Sequence, residues 1–338
     1  MNSAGSARAT IDALRDWLEA PAPPPWVVET SGSTGRPKRV VLSRDAVLAS
    51  VSASARRLGG SGRWLLALPA SYVAGVQVIC RSLVAGHDPV VLDEHANFAD
   101  AADATSPTSS TTDAFVSLVP TQLHRLLETD ADALRRFHTV LLGGGPIDAA
   151  LRGRAEEAGV RVVATYGSAE TAGGCVYDGY ALDGVAVALD AGGRIRIAGP
   201  TLFERYDGDP ALTAEVLVDG WFVTSDAGRL DEDGRLHVLG RVDDVVVSGG
   251  VNVPAPAVAA RLREHPDVRA AEVLGVPDEE WGGRLVAFIV GDLSLDAART
   301  WVGQAHPRSW APRQLVELDD MPLLSNGKPD RLALRELA

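Results

Sequence analysis

At 338 residues, the chain is long enough for a large core and two domains. Its hydrophobic content of 46% marks a globular protein, and its net charge of −13 excludes a general binder of nucleic acid or membrane surfaces, which would carry a basic patch. Cys80 and Cys175 stand far apart and the seven histidines are scattered, so no zinc spacing is present, and buried thiols in a reducing cytoplasm are expected.

Residues 1–10 are small and polar, unlike a signal peptide, and residues 11–18 read as a short amphipathic helix. Apolar runs at 26–28 and 40–42 flank the segment Thr30-Ser-Gly-Ser-Thr-Gly-Arg-Pro-Lys38, which reads as a loop between two strands. Gly32 and Gly35 let backbone N–H groups approach and cradle a polyphosphate. Ser31, Ser33 and Thr34 add hydroxyl donors, and Lys38 adds a point charge. It is not a Walker A loop, because Gly and Lys are not adjacent and no Ser or Thr follows the Lys. The plain alternative is a flexible Ser/Gly surface loop.

Strands are expected at 64–68, 89–92, 114–119, 139–142 and 162–165, alternating with helices at 73–85, 120–128 and 148–158. That alternation predicts a largely parallel βαβ sheet. The most apolar region, 65–80, is broken by Pro69, Ser71 and Gln77 and is too short for a membrane span. Residues 103–113 are rich in Ser and Thr and read as a solvated connector. Beyond Gly167, short strands at 185–189, 194–197, 221–224 and 235–239 are punctuated by Gly and Asp, which predicts an antiparallel or barrel-like subdomain. A smaller α+β domain follows just past Arg241, with a helix at 254–264, strands at 271–276 and 285–290 and a mixed tail. The fold class is thus α/β: a large N-terminal domain over 1–242 with mixed and parallel sheets, and a small C-terminal domain over 243–338.

Several segments carry chemistry. Thr165-Tyr-Gly-Ser-Ala-Glu-Thr171 follows a strand end, where ligands of open α/β sheets collect. Tyr166 offers a ring face to a base and Glu170 a hard oxygen to Mg²⁺; an ordinary turn with a surface Glu has the same pattern. Gly220-Trp-Phe-Val-Thr-Ser-Asp226 ends a strand with a carboxylate able to hold two vicinal ribose hydroxyls. A turn-capping Asp fits that position equally well. Gly240-Arg-Val-Asp-Asp244 adds the cation Arg241, and Ser248-Gly-Gly-Val-Asn252 reads as a turn. Asn326-Gly-Lys-Pro-Asp330 is a tight turn presenting Lys328, the pattern also of a solvated surface lysine. Arg81 lies in an apolar helical stretch, where an unpaired charge is unfavourable, so on its own it is expected to snorkel to the surface.

In this order, over residues 27–334, these segments resemble the adenylate-forming superfamily of acyl- and aryl-CoA synthetases, nonribosomal adenylation domains and luciferases. The resemblance implies a mobile C-terminal domain and two half-reactions. A carboxylate attacks the α-phosphate of ATP, giving an acyl-adenylate and pyrophosphate; a thiol, here that of coenzyme A, then displaces AMP. It implies that Thr30 to Lys38 bind the β- and γ-phosphates. Tyr166, with Gly167 beside it, stacks on adenine in a pocket lined by Gly143, Gly144, Gly145 and Pro146. Glu170 binds Mg²⁺, and Asp226 and Arg241 hold the ribose. Asp243 is the hinge, Lys328 bridges the acid and the nucleotide during adenylation, and Gly249 and Gly250 border the pantetheine channel. No protein nucleophile is needed, because positioning, Mg²⁺ and a lysine lower a barrier between like charges. The expected partners are ATP, coenzyme A and a small carboxylic acid, and a homodimer is left open.

Within the superfamily, residues 68–86, 141–146 and 170–179 resemble the o-succinylbenzoate–CoA ligases of menaquinone biosynthesis. The resemblance makes Ser71, Tyr72, Gln77 and Arg81 the acid-binding set. Arg81 is the bidentate partner for the one of two substrate carboxylates that is not activated. Ser71 and Tyr72 stand where a His often follows the proline, and Ala169 stands where most relatives carry Thr or Ser, which removes one hydroxyl contact to phosphate. About 30 residues precede the phosphate loop, so part of the usual N-terminal subdomain is expected to be reduced. The alternatives are a CoA ligase for another aryl or fatty acid, an adenylation enzyme loading a carrier protein, and a non-catalytic nucleotide-binding relative. Arg81 weighs against a purely apolar acid, and Lys328, Glu170 and Asp226 weigh against a non-catalytic role.

Overall fold

Helix α1 (Ser3–Glu19) opens the chain in a computed structural model that describes residues 3–30, 38–106, 112–145, 147, 149–278, 281–323 and 329–338. It is longer than the expected 11–18, and Ala7, Ile11, Leu14 and Trp17 line its buried face at helical spacing. Strands β1 (Trp26–Glu29) and β2 (Arg39–Leu42) pair antiparallel from Trp26↔Leu42 to Glu29↔Arg39, which brings the two ends of the phosphate-loop segment together. Helix α2 (Arg44–Leu58) starts on Ser43, whose side chain accepts from the Ala46 N–H, and stops at Gly59 in the left-handed region (φ 82°).

The expected alternation follows. It comprises β3 (Arg63–Leu66), α3 (Val73–Val84), β4 (Val90–Val91), α4 (Phe98–Thr105), β5 (Ala114–Leu118), α5 (Pro120–Thr129), α6 (Ala131–Leu134), β6 (Thr139–Leu142), α7 (Ala149–Glu157) and β7 (Val162–Ser168). Then come β8 (Gly173–Tyr177) and β9 (Tyr180–Ala181). They form one seven-stranded sheet in the order β4-β3-β5-β6-β7-β8-β9, parallel from β4 to β7 and antiparallel beyond. Two expectations are corrected here. The start of the 103–113 connector is helical, because Phe98, Ala101 and Ala102 give α4 an apolar face to bury; residues 107–111 lie outside the described set. Strand β7 does not stop at Thr165 but runs through Ser168, held by its pairing with β8.

The antiparallel subdomain consists of β10 (Ala186–Leu189), β11 (Arg194–Ala198), β12 (Arg205–Tyr206), α8 (Pro210–Val216), β13 (Leu217–Val218), β14 (Trp221–Leu230) and β15 (Leu236–Arg241). Its sheet runs β10-β11-β14-β13 with β15 also on β14, while β12 returns to pair with β2. Strand β14 does not end at Asp226, as the sequence suggested. A register shift between Ala227 and Gly228 bends it and lets it continue to Leu230.

The smaller C-terminal domain contains the hairpin β16 (Val245–Ser248) and β17 (Val251–Pro254), then α9 (Ala255–Arg263), β18 (Val268–Asp278), β19 (Gly282–Gly291), α10 (Leu295–Ala305), β20 (Gln314–Glu317) and α11 (Arg331–Arg335). Gly249 and Gly250 form the hairpin turn at φ 58° and 78°, the tight two-residue connection that glycine suits. The three-stranded sheet β18-β19-β20 packs its apolar face against α9 and α10. Arg331 reaches Asp244 at 2.7 Å and Glu272 at 2.8 Å, which ties the last helix to the start of this domain.

Phe115 on β5 is fully buried and stacks on Trp64 of β3 at 4.9 Å. Phe115→Ala removes that stack and leaves a cavity between neighbouring strands. The expected loss is about 3–5 kcal/mol of stability in the large domain, read as a lowered urea midpoint; a midpoint within error of the parent sequence contradicts this packing.

Candidate active site

The phosphate end is built where β1, β2 and β12 meet. The Thr30 N–H donates to the Lys38 carbonyl at 2.9 Å, and the Lys38 N–H donates to Thr30 Oγ1 at 3.1 Å, so the base of the loop is closed. Ser31, Gly32, Ser33, Thr34 and Gly35 lie outside the described residues. Lys38 Nζ sits 5.1 Å over the ring of Tyr206 on β12. The Tyr206 hydroxyl donates to Glu170 Oε1 at 2.7 Å, and both side chains are buried. Burial, and next the charge of Glu170, push the Tyr206 phenol up, so it stays a donor.

Glu170 is the residue expected to meet Mg²⁺, and its Oε1 is held by Tyr206. Among the described residues no group of three His, Cys, Asp or Glu could hold a metal.

The nucleotide side gathers on β6, β7, β14 and β15. Gly143 follows β6, and a Cβ there would lie 2.4 Å from Thr165 Oγ1, so glycine is required for the close approach. Gly144 has φ 79° and Gly145 continues the turn; Pro146 lies outside the described residues. The Tyr166 hydroxyl donates to Asp226 Oδ2 at 2.7 Å. Asp226 lies directly across from Arg241 in the β14–β15 register. Burial pushes the Asp226 carboxyl up. The Tyr166 hydrogen bond and Arg241 pull it back, while Glu170 and Asp244 push it further up.

The residues expected to bind the acid lie at the start and along one face of α3. Ser71 and Tyr72 precede the helix and are exposed, whereas Gln77 and Arg81 are buried one turn apart. Snorkelling of Arg81 is thereby excluded: only 6% of it is exposed. Its guanidinium lies 5.1 Å over the ring of Trp64 and donates from Nη2 to the Tyr177 hydroxyl at 3.2 Å. Arg81 Nε and both amide atoms of Gln77 have no partner, and no carboxylate pairs with Arg81 among the described residues. Gly173, at φ 95°, makes room for Gln77: a Cβ there would lie 3.0 Å from Gln77 Cγ. Gln77 therefore sits beside the turn that carries Glu170.

The remaining expectations fall in or near the C-terminal domain. Gly249 donates its N–H to the Trp281 carbonyl at 3.1 Å and lies against the Trp281 ring. Asp243 falls in a single helical turn, Val242–Asp244, with its side chain outside the described residues; Lys328 is outside them entirely. Tyr206, Tyr177 and Trp281 were given no role in the sequence: Tyr206 and Trp281 belong to no spaced motif, and Tyr177, although within 170–179, carries no local sign of its partners. Cys80 and Cys175 are free and buried, and burial pushes both thiols up to about 12.

Comparison with known proteins follows the same outline. Residues 24–206 match the AMP-binding enzyme family and residues 257–328 the AMP-binding enzyme C-terminal domain. The chain is 42% identical over 319 residues to a Mycobacterium tuberculosis protein named "Probable 2-succinylbenzoate--CoA ligase", covering 91% of this chain and 83% of the relative. Its fold matches that of the o-succinylbenzoate CoA synthetase of Bacillus subtilis in complex with the acyl-adenylate intermediate, with a TM-score of 0.81 and 28% identity, covering 91% of this chain and 68% of that one. The same enzyme in complex with ATP and magnesium ion matches with a TM-score of 0.80 and 27% identity, over 91% and 69% of the two chains.

The raised Asp226 carboxyl has a measurable consequence. A carboxyl whose folded pKa lies above its unfolded value of about 3.9 favours folding at low pH, and that contribution disappears as pH rises through the folded value. Above that folded value the ionised Asp226 is therefore a burden on the fold. Asp226→Asn is expected to melt at the same temperature as the parent protein or higher at pH 7.5, while binding ATP roughly 10- to 100-fold more weakly by calorimetry. A clear drop in melting temperature contradicts the burial argument, and unchanged ATP affinity removes Asp226 from the nucleotide site.

Proposed function

The chain belongs to the AMP-binding enzyme family, and from that premise we propose an ATP-dependent acid–thiol ligase that adenylates o-succinylbenzoate and transfers it to coenzyme A, releasing AMP and pyrophosphate. The observation that carries the choice of acid is Arg81: a buried guanidinium with an unpartnered Nε and no protein carboxylate, one helical turn from the unpartnered amide of Gln77. A monocarboxylic acid uses its only carboxylate in the reaction. A dicarboxylic acid has one left to pair with Arg81. Ser71 and Tyr72 at the exposed start of α3 complete the acid-binding set.

Each residue's task follows from its position. Lys38 and the loop it closes hold the β- and γ-phosphates. Tyr166 and the glycines after β6 hold the adenine, and Asp226 and Arg241 hold the ribose. Glu170 is the residue to hold Mg²⁺, which when bound screens charge on the phosphates. Arg81 and Gln77 anchor the far end of the acid, so that its reacting carboxylate is turned toward the α-phosphate and the encounter of two anions becomes a fixed geometry. Lys328 bridges that carboxylate and the nucleotide. The domain boundary lies at 242/243 with Asp243 as the hinge, and rotation about it presents Gly249 and Gly250 to the pantetheine arm for the second half-reaction. No helix among the described residues is long and apolar enough to cross a membrane; substrates of this kind and two buried free thiols fit a cytoplasmic enzyme. A homodimer is part of the proposal, tested by the mass of the protein in solution.

Pyrophosphate release across a panel of acids, with and without coenzyme A, tests the assignment. The largest rate is expected with o-succinylbenzoate, and CoA-dependent AMP release should follow. Arg81→Ala should raise KM for o-succinylbenzoate by the equivalent of roughly 2–5 kcal/mol, leave the KM of ATP in place and barely change benzoate-type acids. An unaltered KM for o-succinylbenzoate in that variant removes the support for this acid.

Lys328→Ala separates the half-reactions. Adenylation should fall on the order of 10²–10³, since one contact to developing charge is lost. Thioester formation from pre-made acyl-adenylate should stay near the parent rate. Equal losses in both half-reactions contradict the role given to Lys328.

A further inference from the structure

Behind Arg81 lies a second layer of buried polar groups that the reaction itself does not use. Tyr177 ends β8 with only 1% of its surface exposed, and its hydroxyl lies 2.6 Å from Ser54 Oγ on α2, also 1% exposed. The same hydroxyl receives Arg81 Nη2 at 3.2 Å. The directions of these bonds can be assigned. A guanidinium only donates, so the Tyr177 oxygen accepts from Arg81. If Ser54 also donated to it, the phenolic proton would be left buried without an acceptor, which is unfavourable. Tyr177 therefore donates to Ser54, and a one-way chain runs from Arg81 through Tyr177 to Ser54.

The chain fixes the guanidinium on one side, and the Trp64 ring covers a face. What remains are Nη1, the second N–H of Nη2 and Nε, of which Nε is buried and unpartnered. A planar fork recognises a carboxylate by two parallel N–H groups only when its rotation about the side chain is set. We propose that Tyr177, backed by Ser54, is a positioning residue that turns the Nε edge of Arg81 toward the free carboxylate of the acid and so selects dicarboxylic over monocarboxylic substrates. The proposal rests on Arg81 meeting that carboxylate.

The test uses the full-length enzyme and three variants, Tyr177→Phe, Ser54→Ala and Arg81→Ala. Tyr177→Phe keeps the ring that packs in the core and removes only the hydroxyl. It is expected to raise KM for o-succinylbenzoate roughly 10-fold, with kcat, the KM of ATP and the kinetics with benzoate-type acids little changed. Ser54→Ala should raise the same KM by less, and the double variant should be no worse than Tyr177→Phe, because both act through one chain. A general loss that also lowers kcat with monocarboxylic acids, or additive effects in the double variant, overturns the proposal in favour of a purely structural role. If Tyr177→Phe fails to fold, Ser54→Ala decides alone by the same split. An effect of Arg81→Ala on KM with none from Tyr177→Phe overturns the positioning role and leaves the Arg81 reading intact; a silent Arg81→Ala overturns both.

Discussion

Two backbones touch where β7 meets β8. A Cβ on Gly167 would lie 2.1 Å from the Gly173 carbonyl oxygen, so the strands can close only with glycine there. Between them, Ala172 is held at φ 48°, a conformation that a residue with a Cβ adopts at some expense. The compressed turn puts Tyr166, Glu170 and Tyr177 on a single short hairpin. From there Tyr166 reaches Asp226, Glu170 reaches Tyr206, and Tyr177 reaches Arg81. The three proposed ends of the site are thus referred to one short hairpin, as precise positioning of two anions would require.

The charge arrangement works against the chain's own net charge of −13. Glu170 and Asp244 both raise the affinity of Asp226 for a proton, so the nucleotide site contains acids that repel one another before any ligand arrives. Cations are placed singly: Lys38 over Tyr206, Arg241 across from Asp226, Arg81 beside Trp64 and Tyr177. Local placement, rather than overall charge, lets an acidic protein bind a polyanion.

The βαβ half of the fold was legible because apolar runs and turn residues alternate there at regular lengths, and Tyr166, Glu170 and Asp226, which the fold brings near one another, stood out because they sit in short spaced motifs. The extent of β14 was not, since a bulge at Ala227 and Gly228 leaves no local signature. The partners of the site residues were hidden for a different reason. Tyr206 lies 36 residues from Glu170, Tyr177 lies 96 from Arg81, and Ser54 lies 123 from Tyr177. No periodicity encodes such bonds. Arg81 itself was visible, but helical spacing alone does not say whether the side it faces is covered, and burial decides between a snorkelling arginine and a ligand-seeking one.

The two cysteines gain meaning from the company the proposed reaction keeps. An enzyme that holds a free thiol co-substrate beside itself at every turnover is exposed to disulfide exchange with it whenever that pool is partly oxidised. Exchange requires an accessible thiolate. Cys80 and Cys175 offer none, because both are fully enclosed and their thiols are pushed up to about 12. The protein can handle mercaptans without being capped by them, so its activity should be insensitive to alkylating reagents and to the redox poise of its surroundings while the fold is intact.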